Sequence, residues 1–199
     1  MMIKMFRNIH LFKDVILPLF VTMMGIYLGL LLNQWQNNQS EKSLKKTIEI
    51  QIEQEVKENL KLLLKGSDYH IKSMDLANHY DSLKKDSLIH FFEKWQGLAT
   101  TFLKRTAFES ANLSGSFKAF HYEDYHKISS IYTTQDQLQK VNELYINNFL
   151  NLLSNSGDDI TKTFNFLKIY LTDIINNEKS LIKSYQKWLK DKKKNNILI

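Results

Sequence analysis

Cysteine is absent from the chain. No disulfide framework holds it together, and the absence suits a reducing or an oxidising compartment equally. Proline occurs once, as Pro18, and of the six glycines only Gly66, Gly97, Gly115 and Gly157 lie beyond the N-terminal region. So few breakers, alongside abundant Leu, Lys, Glu, Gln and Asn, point to helices almost throughout. No convincing alternation of apolar and polar residues marks a strand. The familiar catalytic signatures are missing as well: there is no P-loop, no dinucleotide glycine pattern, no His-Glu-x-x-His and no nucleophile elbow.

Charge is missing from one stretch in particular. Val15 to Leu32 reads VILPLFVTMMGIYLGLLL, eighteen positions with no ionisable group of either sign apart from the Tyr27 phenol. With Leu11 and Phe12 ahead of the Lys13-Asp14 pair, it approaches the roughly 20 residues that cross a hydrocarbon layer about 30 Å thick. The run ends in Asn33-Gln34-Trp35-Gln36 rather than in the small residues of a cleavage site, so an uncleaved signal anchor is expected. Only Thr22 and Tyr27 offer it a polar face, which argues against a core helix. Trp35 suits the membrane–water interface, and Pro18 falls in the first turn or so, where a missing N–H costs least. The lipid bilayer is therefore the first expected partner.

Lys4, Arg7 and Lys13 flank the run on its N-terminal side, whereas the other flank has no positive charge until Lys42, followed by Lys45 and Lys46. That asymmetry favours a cytoplasmic N-terminus in a bacterial inner membrane, with the rest of the chain on the periplasmic side. Gly25 and Gly29 form a G-x-x-x-G. Two readings stand side by side: a seam for self-association or for a partner span, and ordinary glycine usage in a membrane helix.

The expected organisation is all-α. A basic segment (1–14) precedes the anchor (15–35), a stalk helix (36–65), a helical bundle (66–191) and a Lys-rich tail (192–199). Leu44, Ile48, Ile52, Val56, Leu60 and Leu64 stripe the stalk at fourfold spacing, and anchor and stalk together could form one helix of about 50 residues, some 75–80 Å long. Gly66 reads as the stop, with Ser67 or Asp68 capping the next helix. Helices are then expected over 68–84 and 86–104. Thr134-Gln135-Asp136-Gln137 reads as a capping box opening a helix that ends at Asn155-Ser156-Gly157. A last helix is expected from Asp158 or Asp159 to about Asp191.

Two stretches carry a resemblance. Residues 106–117 read Thr-Ala-Phe-Glu-Ser-Ala-Asn-Leu-Ser-Gly-Ser-Phe, and the anchor closes on Gly25-Ile26, then Tyr27 to Leu32, then Asn33-Gln34-Trp35-Gln36. In these features the chain resembles a domain-of-unknown-function group of small single-span membrane proteins, mostly from Bacteroidetes-type bacteria. That group typically has Ser-Ala-Tyr-Glu-Glu-Leu-x-Ser-Ser-Gly-Asn-Leu, and an anchor ending in Gly-Ile, mostly apolar residues and Asn-Asn-Trp-Asn. Thr106, Ala107, Phe108, Glu109, Ser114, Gly115 and Phe117 match, while Ser110, Ala111, Asn112 and Leu113 depart from it. The resemblance implies a membrane helix followed by a helical domain, and it brings no catalytic residues. Read for its own chemistry, Thr106 with Glu109 is a capping box, Gly115 suits a left-handed C′ position, and Ala107 and Ser114 permit close helix approach. A structural corner is the expected role, with a ligand pocket as the alternative.

His121-Tyr122-Glu123-Asp124-Tyr125-His126 is the densest group of possible ligands, but five-residue spacing turns the two His about 140° apart on a helix. A polar helix start is expected there, with no metal site and no cofactor. His70, His79 and His90 read as surface or packing residues. The net charge of +6 gathers late, in Lys179, Lys183, Lys187, Lys190, Lys192, Lys193 and Lys194, with Glu178 and Asp191 the only acids nearby. Three readings remain open: solvated lysines complementing a helix dipole, a polybasic end on anionic lipid helped by Ile197-Leu198-Ile199, and nucleic-acid binding, which the anchor disfavours. The expectation for function is a non-catalytic, membrane-anchored interaction module with a homo-oligomeric or membrane-protein partner. The alternative is a cytoplasm-facing accessory protein with a lipid-binding C-terminus.

Overall fold

Helix formers dominate the chain, and the computed structural model, which describes residues 16–80, 84–155 and 160–197, is all-α. Five helices occur in order: α1 Leu17–Asn78, α2 Lys85–Lys94, α3 Thr106–Leu113, α4 Tyr122–Asn155 and α5 Ile160–Ile197, with a 3-10 turn at Ser116–Ala119. No strand occurs among the described residues. The chain divides into two compact units, Met1–Thr47 and Ile48–Ile199. Lys4, Arg7, Lys13, Gly157 and the Leu198-Ile199 end lie outside the described residues.

In the first unit, the N-terminal part of α1 is long and apolar enough to cross a membrane. Pro18 sits at its second position, where no intrahelical amide bond is lost, and the Pro18 carbonyl accepts from the Thr22 hydroxyl at 2.9 Å. Every large apolar side chain from Ile16 to Leu32 is 44–66% exposed. None of this window packs into a core.

The second unit is a bundle built on residues 48–78 of α1 together with α4 and α5. Its core includes Ile52, Val56 and Leu63 of α1, Tyr132 of α4, and Phe164, Leu171, Leu181 and Tyr185 of α5. Phe91 of α2 packs edge-on against Phe164, their centroids 5.0 Å apart. Burying these side chains drives the assembly, at about 1.5–3 kcal/mol for each large one.

Several sequence expectations are corrected by the fold. Gly66 does not stop α1, which runs on for another twelve residues to Asn78. Residues 48–65, expected as a stalk, lie in the second unit and contribute to its core, while Leu44 and Leu64 of the expected stripe are exposed. The helix expected over 86–104 ends at Lys94, and residues 95–105 form a non-helical crossing segment. Thr134 to Gln137 opens no helix, because α4 has already begun at Tyr122 and the Thr134 hydroxyl bonds back to the Ser130 carbonyl at 2.9 Å. α5 continues past Asp191 to Ile197, so residues 192–197 belong to that helix rather than to a separate tail.

Candidate functional site

The part of α1 inside the bundle buries residues at spacings of three or four: Ile52, Val56, Asn59, Leu63, Ser67, His70, Ser73 and Ala77. Such spacing keeps one face of a helix inward. From Asn59 onward that face is mostly polar or small. It must therefore find hydrogen-bond partners, since an unpaired buried polar group costs about 1–3 kcal/mol. The crossing segment 95–105 and helices α4 and α5 supply them.

The crossing segment runs antiparallel to α1. Tyr69 donates its hydroxyl proton to the Gly97 carbonyl, and His70 Nε2 lies 2.8 Å from the Ala99 carbonyl. Further along, Asn59 grips the main chain of Lys104: its Oδ1 accepts the Lys104 amide at 2.8 Å and its Nδ2 donates to the Lys104 carbonyl at 2.6 Å. Gln135 of α4 donates to the same carbonyl at 3.0 Å, and its own Oε1 accepts from Tyr185 at 2.6 Å. Between these anchor points, Thr101 crosses Gly66. A Cβ on Gly66 would stand 2.1 Å from Thr101 Oγ1. Glycine inside the helix is explained by this close approach rather than by a helix end.

Glu55 closes the lower end of the network. One carboxylate oxygen accepts the Ala107 amide at 2.8 Å, the other the Tyr132 hydroxyl at 2.6 Å. This corrects the expected Thr106–Glu109 capping box. Arg105 occupies the N-cap position of α3 with no side-chain cap, and Thr106 is already helical. The carboxylate that satisfies the first turn comes from α1, while Glu109 turns back to Arg105 Nε at 2.6 Å. Arg105 also pairs with Asp136, and that bond holds its guanidinium firmly protonated. At the other end of α3, Gly115 adopts φ +66°, the left-handed conformation expected of it, and its amide bonds to the Asn112 carbonyl at 3.0 Å. Ala107 is half-buried against the core, whereas Ser114 is exposed.

The upper end of the network is a buried pair. His70 Nδ1 lies 3.0 Å from Glu178 Oε1, with side-chain exposures of 1% and 2%. Because the Ala99 carbonyl can only accept, His70 Nε2 carries a proton, and a second proton lies between Nδ1 and the Glu178 carboxyl group. The sequence alone presents His70 as a surface or packing residue and Glu178 as a neutralising neighbour of the lysines, yet they meet in the core across 108 positions. Tyr170 packs edge-on to His70 and donates to Asn142 at 3.0 Å. Burial pushes the phenols of Tyr132, Tyr170 and Tyr185 well above the ordinary range, with Glu55 adding to the effect at Tyr132 and Glu178 at Tyr170. Tyr145, whose hydroxyl bonds Asp173, is pushed up to about 12.

Two open hollows flank the crossing segment. One, of about 180 Å³, lies between Thr101, Phe102 and Leu103 and the α4 side chains Gln135, Leu138 and Asn142. The other, of about 360 Å³, lies beside Glu55, Glu58 and Lys104, where the Lys104 ammonium at 2.8 Å holds Glu58 below the usual carboxylate range. His121 and His126 are exposed at the start of α4, and among the described residues no group of three or more His, Asp or Glu gathers to hold a metal. The five lysines expected at the C-terminal end separate: Lys187, Lys190, Lys193 and Lys194 are exposed, whereas Lys192 bonds Glu49 and lies 5.8 Å from the Trp188 ring centroid. Gly25 and Gly29 have open space where a Cβ would be, and Trp35 is 63% exposed.

Taken together, these features define a helical-bundle protein with a hydrogen-bond network in its core and an N-terminal helix that carries an uncovered apolar stretch. Compared with family profiles, curated proteins and solved structures, the chain matches none.

Proposed function

We propose that this chain is a non-catalytic, membrane-anchored interaction module of a bacterial cell envelope, acting as a subunit, scaffold or ligand sensor. The observation that carries the reading is the apolar window of α1, whose large side chains are all 44–66% exposed. Hydrocarbon removes that surface from water where the protein itself does not. The cell-envelope assignment rests on the resemblance of two sequence stretches to those of small single-span membrane proteins. A non-catalytic role is in keeping with His70, whose ring nitrogens are both engaged and whose side chain is 1% exposed, out of reach of a substrate. The open face at Gly25 and Gly29 supports self-association or a partner span.

Membrane extraction and thiol labelling test the proposal. The chain should resist alkaline carbonate extraction, and release into the soluble fraction would refute the anchor. Single cysteines belong at Lys127 and Gln186, which are exposed. In cells with a permeabilised outer membrane, a reagent that cannot cross the inner membrane should label both. Protection until lysis would instead place the bundle in the cytoplasm and favour the accessory-protein reading. For the seam, Gly25→Leu with Gly29→Leu should abolish crosslinking between copies in membranes.

A further inference from the structure

We propose that the outer face of α5 is a contact surface for anionic phospholipid headgroups, used on the same membrane that anchors the chain; this rests on the anchored reading above. α5 turns Phe164, Leu167, Leu171, Ile174, Leu181 and Tyr185 into the core, each at most 1% exposed. On the opposite side, Lys179, Lys183, Lys187, Lys190 and Lys194 succeed one another at spacings of four, four, three and four. At 100° per residue they fall within an arc of about 80°, in a row about 22 Å long. All five are exposed.

Little of this charge is neutralised within the fold. Of the two acids from position 178 onward, Glu178 is buried against His70 and Asp191, four residues after Lys187, is the only one near the row. The helix dipole does not account for the arrangement either. Its influence is confined to the last turn, whereas Lys179, Lys183 and Lys187 stand ten or more residues before Ile197. A row of uncompensated lysines on one helix face matches a planar, negatively charged surface.

The direction of α5 selects lipid over other polyanions. Glu178 meets His70, Tyr185 meets Gln135 beside Asn59, and Lys192 meets Glu49, so α5 runs antiparallel to this part of α1. The lysine-rich end therefore lies at the Ile48 end of the bundle, where the chain enters it. Only fifteen residues of α1, 33–47, join Ile48 to the apolar window. A link this short keeps the row close to a leaflet and raises its local concentration there over that of an untethered protein. Each lysine close to an anionic surface then adds roughly fivefold to the contact equilibrium. A free nucleic acid has no such advantage.

The test uses the full chain with Gln186→Cys, exposed beside the row, carrying an environment-sensitive dye. It is reconstituted into vesicles of phosphatidylcholine alone or mixed with phosphatidylglycerol. The expected result is blue-shifted emission and protection from aqueous iodide with phosphatidylglycerol only. Salt that shortens the Debye length to about 3 Å should reverse it. The same dye at Lys127→Cys on α4 should not respond. Replacing all five lysines by Gln should abolish the response, and replacing them by Arg should preserve it, with unchanged helical melting in both. Equal emission in the two vesicles, or a response that survives in the Gln variant, overturns the proposal. Stronger binding of a labelled DNA duplex than of the anionic vesicles, through the same lysines, overturns the lipid assignment. Failure of the anchor would read out separately, as failure to float with pure phosphatidylcholine vesicles, and anion-dependent flotation would still report on the row.

Discussion

Asn59 holds Lys104 by its main chain, accepting the amide through Oδ1 and donating to the carbonyl through Nδ2, so that a side-chain amide replaces a strand partner. With Tyr69 and His70, it ties the crossing segment to α1. Asn59→Ala should leave the Lys104 amide without an acceptor while the carbonyl keeps Gln135, a loss of about 2–3 kcal/mol. Hydrogen exchange read by mass spectrometry should show residues 98–105 exchanging faster, with the α4 core protected as before. Uniform acceleration across the bundle would contradict a local role.

Gly66 and Thr101 should behave as a coupled pair. Gly66→Ala places a methyl group 2.1 Å from Thr101 Oγ1 and 3.4 Å from its Cβ, so rotating the hydroxyl away relieves only part of the clash. A destabilisation of about 1–3 kcal/mol is expected, despite the better helix propensity of alanine. Adding Thr101→Ala should recover most of it. A thermal-melting double-mutant cycle measures the coupling, and strict additivity would mean that the two residues do not meet.

Alkaline pH should unfold the bundle steeply. In the unfolded chain Tyr132, Tyr170 and Tyr185 ionise near the ordinary value of about 10. In the fold they are held neutral by burial, so their folded values lie above their unfolded ones. Their stabilisation is therefore complete below about pH 10 and is lost as pH rises beyond it, at about 4 kcal/mol per pH unit for the three together. Phenolate absorbance should show Tyr132, Tyr170 and Tyr185 silent until helicity is lost, with Tyr145 titrating near 12 if the fold persists that far.

The buried pair distinguishes shape from charge. Glu178→Gln keeps a hydrogen-bond partner for His70 Nδ1 and should be tolerated. Glu178→Ala strands that nitrogen and opens space beside Gly66, and should cost about 2–4 kcal/mol. Urea unfolding of the two variants reads the difference, and equal losses would show that the carboxylate charge itself is what matters.

How legible each element is in the sequence depends on what it buries. The apolar window, the all-α class, the end of α4 at Asn155 and the approximate start of α5 are written in hydrophobicity and breakers, and both can be read locally. The inner face of α1 is not. Asn59, Gly66, Ser67, His70 and Ser73 are polar or small, and hydrophobic periodicity does not register them. The recurrence of Asn59, Leu63, Ser67, His70, Ser73 and Ala77 at spacings of three or four is the signal that could have shown α1 continuing past Gly66. The crossing segment reads as helix because Leu98, Phe102 and Leu103 fit that spacing. What pulls it straight is remote: Tyr69, His70 and Asn59 lie 28, 29 and 45 positions from the carbonyls they bond. Remoteness also explains the failed capping box, since the carboxylate at the start of α3 comes from Glu55, 52 residues earlier than Ala107.

The same remoteness sets an order of events at the ribosome. α1 is synthesised first, yet Glu55 waits 77 residues for Tyr132, His70 108 residues for Glu178 and Glu49 143 residues for Lys192. Until α5 emerges, His70 and Glu49 have water or a chaperone for company, and the bundle closes only once α5 has been made. Nascent chains arrested before residue 178 should therefore be cleaved readily by protease within 48–78, and chains arrested with α5 fully emerged should not.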